Sequence, residues 1–197
     1  WVGLLLIPAV YLVMVLPAAL AGRPLADLFT IYLSQAGDFR ELSMNAPNLY
    51  SFLSDDQYWP ALIGGILVTA LAGLLWVGIN RARIIEFTPR VVLLCALASV
   101  VLVPFSLPKM HDRYFYPADL LSYLLVFFWP GVWLPALGYQ IISGIVYFVF
   151  LSGMSAGQGS PYVQIAAVLN TLLAAWIFTR QYQLTGSNTL SAETSNV

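Results

Sequence analysis

The sequence predicts an all-α polytopic membrane protein, with about six transmembrane helices and an amphipathic helix in the first external loop. Three observations predict it. Hydrophobic residues fill 60% of the 197 positions and charged residues only 9%, against about a quarter charged in soluble domains. The mean hydropathy is +0.82. Six apolar segments come near the roughly 20 residues that a helix needs to cross the hydrocarbon layer. Such a chain has too little polar surface to cover a core in water, so lipid is its main solvent.

The spans follow in order. The first covers 1–22 and the second 59–79. The third, 91–107, and the fourth, 114–129, are short. The fifth covers 132–151 and the sixth 161–179. The stretch 114–151 is uncharged apart from Asp119, and Pro130–Gly131 splits it into a hairpin, because proline and glycine break helices. Residues 1–179 therefore read as a single transmembrane domain. Residues 180–197 are polar and read as a disordered tail. The chain opens on Trp1 inside an apolar run, with no charged segment before it, and this predicts a missing upstream part.

Charge orients the thread. Arg81, Arg83 and Arg90 stand in one loop against Glu86, and Arg180 follows the last span. Basic residues gather in cytoplasmic loops, so this loop and the C-terminus are expected inside. Loops 23–58, 108–113 and 152–160 are then expected outside. A net charge of −1 and a single lysine exclude a nucleic-acid surface. The lone Cys95 excludes a disulfide framework.

One external loop departs from the charge rule. Within "FSLPKMHDRYFYPADLLSY", Lys109, His111, Asp112, Arg113 and Asp119 crowd together. If the segment is extended, Lys109, His111 and Arg113 project to one side. Lysine, a point charge, and arginine, a planar fork, both suit phosphate oxygens, and histidine can donate a hydrogen bond. Together they would clamp an anion at head-group level, with Tyr114, Phe115 and Tyr116 as an interfacial aromatic belt. Snorkelling to ordinary lipid phosphates accounts for the cations as well. Asp119 falls in the first turn of a helix opened by Pro117. Pairing with Arg113 or Lys109 and simple stabilisation by the helix N-terminus both account for it. Asp112-Arg113-Tyr114 opens a span rather than closing one, unlike the similar tripeptide of seven-helix receptors. His111 is the sole histidine and no second ligand stands at a ligating spacing, so no metal site is expected.

The long loop 23–58 carries "LADLFTIYLSQAGDF", with Leu25, Leu28, Phe29, Tyr32 and Leu33 near helical spacing. This predicts a helix lying on the membrane. "SMNAPNLYSFL" follows. Asn45, Asn48 and Tyr50 combine amides with an aromatic face, which suits a sugar, and a plain turn explains Asn-Ala-Pro-Asn equally well. Asp55 and Asp56 read as a solvated loop end.

Taken together, "GRPLADLFTIYLSQAG", "LSMNAPNLYSFL" and "LPKMHDRYFYPADLL" resemble the C-terminal half of bacterial GT-C-fold glycosyltransferases related to the GPI mannosyltransferase (PIG-V-like) group. Those proteins carry P-K-M-H-[ED]-R-Y and N-A-x-N-[LW] segments at comparable places. The resemblance covers about residues 21 to 123, and Asp112 stands where many relatives show Glu. It implies an integral-membrane enzyme of the bacterial inner membrane that transfers a sugar from a polyprenyl-phosphate donor on the non-cytoplasmic face, with inversion. It implies Lys109, His111 and Arg113 on the donor phosphate, with Asp112, Tyr114 and Asp119 in support. The general base would lie in an outer loop upstream of Trp1, so this chain alone is expected to be inactive. No cofactor is assigned, and a divalent metal stays open. The implied partners are the lipid-linked donor and membrane lipids. Two rival readings remain: a transporter or flippase for lipid-linked or anionic solutes, and a non-catalytic membrane subunit. A transporter should show polar or broken helices near mid-span, and the second and fifth spans carry glycines without charge.

Overall fold

A computed structural model describes residues 2–38, 40–83, 87–154 and 160–194. The chain divides into two compact units, 1–40 and 41–197, rather than the one domain over 1–179 that hydropathy suggests. Hydropathy reports what meets lipid; it does not report which helices pack on one another.

The first unit is a helical hairpin, α1 (Val2–Leu20) and α2 (Leu25–Asp38). The turn between them needs a left-handed residue, and Gly22 takes φ +90° without a Cβ to oppose it. The Arg23 N–H returns to the Ala18 carbonyl at 3.1 Å, closing the end of α1. Asp27 stands in the first turn of α2, where the helix dipole favours an acid. Leu28 is buried, and its carbonyl accepts the Tyr11 hydroxyl at 2.5 Å. The helix expected in the first loop is thus present. The side chains of Tyr32 and Leu33, part of its expected apolar face, lie outside the described residues.

The second unit holds α3 (Tyr58–Arg83), α4 (Pro89–Ser106), α5 (Tyr116–Phe128), α6 (Trp133–Leu151) and α7 (Pro161–Thr194). Four of these, α3, α4, α6 and α7, are long and apolar enough to cross a membrane, and the protein is an all-α membrane protein in that sense. Of the other two expected spans, α5 has 13 residues and rises only about 20 Å. Helix α1 takes 19 residues of the first expected span. The break expected at Pro130–Gly131 is a 3₁₀ turn over Pro130–Val132.

Helices α4 to α7 share the core. Leu94, Leu97, Ala98 and Val101 of α4 meet Ala118 and Leu125 of α5, Tyr139 of α6, and Ala174 and Ile177 of α7. Helix α3 stays at the edge, with Leu67, Leu71 and Leu74 exposed; such a face is stable in lipid and a liability in water. Thr88 caps α4 by accepting the Val91 N–H at 3.3 Å, and Pro89 follows at its first turn, where a missing N–H costs nothing.

The polar segment from 180 is helical as far as Thr194, which corrects the disordered tail at its start. Gln181 and Thr185 are buried there. The physical reason is a polar seam. The Trp76 indole donates to Gln181 Oε1 at 3.0 Å, and Gln181 Nε2 donates to Asn80 Oδ1 at 2.7 Å and to Cys95 Sγ at 3.2 Å. Residues 195–197 lie outside the described residues, as do Glu86 and most of the expected external loop 152–160.

The antiparallel thread sorts the charges. Arg83 donates to the Tyr182 carbonyl at 3.2 Å, and Arg90 to the Phe128 carbonyl at 2.6 Å. Lys109 Nζ, by contrast, stands 5.6 Å from the Tyr58 ring centroid, at the start of α3. The 26 residues of α3 separate these two ends by about 39 Å.

Candidate functional site

The site at the loop end begins with two prolines. Pro104 lies inside α4 and Pro108 four residues on. Pro108 has no N–H, so the Pro104 carbonyl lacks its normal helical donor. The carbonyls at the end of α4 are short of partners too. The loop 41–57 supplies them. Asn48 Nδ2 donates to the carbonyls of Pro104 and Leu107 at 3.3 and 3.4 Å, and the Tyr50 hydroxyl donates to Ser106 at 2.8 Å. Asn48 Oδ1 accepts the Tyr50 N–H at 3.0 Å and caps a 3₁₀ turn over Leu49–Phe52. Burial pushes the Tyr50 phenol above its ordinary pKa, so it remains a donor. Gly65 on α3 permits this approach, since a Cβ there would come within 2.2 Å of the Tyr50 hydroxyl.

This brace aligns two short strands. β1 (Ser43–Met44) pairs in parallel with β2 (Met110–His111), Ser43 against Met110 and Met44 against His111. The Lys109 N–H donates to the Leu42 carbonyl at 2.8 Å. Asn45 and Lys109 adopt φ +57° and +62°. Asparagine tolerates that region; a lysine there costs about 1–2 kcal/mol and persists only where its surroundings hold it. Helix α7 supports the loop from behind: Asn170 Nδ2 donates to the Pro47 carbonyl at 2.7 Å.

The predicted site residues separate into groups. Asn45, Asn48 and Tyr50 are buried, and the side chains of Asn48 and Tyr50 are spent on the brace. These bonds of Asn48 and Tyr50 accord with the turn reading of that segment. Lys109, His111 and Arg113 do not alternate along one strand, because β2 is only two residues long. Lys109 sits in the left-handed turn before it, and Arg113 in a 3₁₀ turn over Asp112–Phe115 after it. Arg113 and Tyr114 are exposed. His111 Nδ1 donates to Asp112 Oδ1, which also accepts the Arg113 N–H at 2.7 Å. Asp112 thereby orients the imidazole. Asp119 does not take the cationic partner expected for it. Its Oδ2 accepts the Ser143 hydroxyl at 2.5 Å, and its Oδ1 is buried without a hydrogen-bond partner.

Ser143 belongs to a polar stripe that the sequence reading missed. Gln140, Ser143 and Tyr147 recur at three and four residues on α6, among apolar neighbours. That spacing was a usable signal for one helix face. Gln140 Nε2 donates to the Asp119 carbonyl at 3.1 Å. Ser143 and Tyr147, with Pro47, Asp112 and Phe115, line a small cleft.

Comparison with protein-family models, curated proteins and solved structures finds no match to this chain.

Proposed function

We propose that the chain is the membrane part of a GT-C-type glycosyltransferase, mannosyltransferase-like, whose loop 107–115 meets a polyprenyl-phosphate sugar donor on the non-cytoplasmic face. One observation carries the reading. Two of the three segments on which the family resemblance rests lie strand to strand through Ser43–Met44 and Met110–His111, although Ser43 and its partner Met110 are far apart in sequence. Two motifs of one active site need this proximity. The four arginines Arg81, Arg83, Arg90 and Arg180 belong to the other end of the bundle, which suits a cytoplasmic side there and an inner-membrane location.

The chemistry asks for fixed cations. As the glycosidic bond breaks, the leaving polyprenyl phosphate gains negative charge, and cations aimed at it stabilise the transition state more than the ground state. Arg113, exposed beside the His111–Asp112 pair, and Lys109 are the groups assigned to that phosphate. In nanodiscs, the chain should bind polyprenyl phosphate more tightly than the matching polyprenol. Arg113→Ala should weaken phosphate binding about tenfold to a hundredfold, the worth of one hydrogen bond to a charged group. Equal affinity for phosphate and alcohol would overturn the assignment.

A further inference from the structure

The arginine-rich end of the 41–197 unit carries a belt that crosses its helices. Arg90, at the start of α4, donates through Nε to the Phe128 carbonyl at the end of α5, at 2.6 Å. Beside Phe128, the Trp129 ring lies 6.3 Å from the Trp176 ring of α7. The Arg180 guanidinium stands over that Trp176 ring at 5.9 Å. Arg83, at the end of α3, lies over the Tyr182 ring at 3.9 Å and donates to the Tyr182 carbonyl at 3.2 Å. Cations and aromatic rings therefore alternate along this end of the bundle.

The belt lacks counter-ions. Among the described residues, no carboxylate pairs with Arg81, Arg83, Arg90 or Arg180. The side chains of Glu86 and Glu193, the acids nearest this end in sequence, lie outside the described residues. Arg90 and Arg180 are exposed. Arg90 spends only Nε, and Arg180 only Nη1, which donates to Gln183 Oε1 at 3.2 Å. The N–H groups left over form planar forks that match phosphate oxygens. Carbonyls and rings already hold these side chains, so binding costs them less freedom than it costs a loose snorkelling arginine. An ammonium headgroup would meet cations here, and the Trp176 and Tyr182 rings that could hold it each carry a guanidinium on one face. A headgroup of net negative charge meets its complement. Trp129 and Trp176 are half-buried, as suits rings at the level of the lipid glycerol.

We propose that this belt binds an anionic phospholipid, with the guanidinium groups of Arg90 and Arg180 as donors to its headgroup and Trp129 and Trp176 against its glycerol region. The site lies at the other end of the bundle from loop 107–115, and it stands whether or not that loop holds a polyprenyl phosphate.

The test is native mass spectrometry of the chain released from a non-ionic detergent. It is titrated with phosphatidylglycerol, with phosphatidylcholine of the same acyl chains, and with glycerol phosphate. Phosphatidylglycerol should bind at least about fivefold more tightly than phosphatidylcholine, and glycerol phosphate far more weakly than either. Arg90→Gln and Arg180→Gln should each loosen phosphatidylglycerol about fivefold, the worth of one basic residue at an anionic surface, and leave phosphatidylcholine unchanged. Arg180→Lys keeps the charge and should restore most of the loss. Circular dichroism of each variant shows whether the helices are retained, and Arg180, which faces outward, supplies the variant least tied to folding. Equal affinity for the two lipids would overturn the proposal. So would a preference that survives both glutamine variants, or one lost only in Arg113→Gln, which would place the lipid at the other end. Glycerol phosphate binding as tightly as phosphatidylglycerol would remove the lipid.

Discussion

The two ends of the 41–197 unit both bury polar side chains, and they close differently. At the arginine-rich end, Trp76, Asn80, Cys95 and Gln181 form a network across α3, α4 and α7. Asn80 Nδ2 even returns to the Trp76 carbonyl at 2.7 Å. Both the oxygen and the nitrogen of the Gln181 amide have partners, and among the described residues at this end Arg83 Nε alone is buried without one. At the loop end, the brace through Asn48 is similarly filled, but just beneath it Asp119 Oδ1, Tyr139 Oη and Asn170 Oδ1 are left without partners. A filled network holds helices together. Unfilled groups of this kind cost stability where they stand.

That contrast can be broken by substitution. Asn48→Leu should have the largest effect. It strips partners from two carbonyls and a capped N–H at a side chain that is 0% exposed, with an expected loss of about 3 kcal/mol. Denaturant titration in micelles would measure it, and a loss below that of a surface substitution would remove the brace. Gln181→Leu should come next, at about 1–2 kcal/mol, because polar contacts between membrane helices are worth less than their number suggests. Asp119→Asn should cost least. It neutralises a carboxylate that is half unpaired, so the melting temperature should hold or rise. A loss matching that of Gln181→Leu would make Asp119 a packing residue and end the contrast between the two ends.

Much of the helical thread was legible in the sequence. Hydropathy placed 91–107 against an observed α4 of Pro89–Ser106, and 132–151 against an α6 of Trp133–Leu151. Both boundaries are set by local chemistry, through Thr88–Pro89 and the Pro130–Gly131 break. The site was only partly legible. The motif segments were found, but the amides of Asn48 point at carbonyls that exist only because Pro104 and Pro108 fall four apart on another segment. Composition favours a sugar for such amides, and tertiary structure uses them for the backbone. Gln181 was lost in a polar tail, although Ala174, Ile177, Gln181 and Thr185 recur at three and four residues on the buried face of α7. Asp119 stands out in the sequence as the one charge in the stretch 114–151. A cationic partner and the helix N-terminus both accounted for it in the sequence, and the hydroxyl that it accepts from lies 24 residues away.

The brevity of α5 shapes the surroundings as well as the fold. Its 13 residues fall about 10 Å short of the hydrocarbon thickness. In a bilayer its neighbours hold the leaflets apart while α5 cannot, so the lipid thins locally and the polar boundary sags toward the middle. The segment after Pro108 then rests in a dimple.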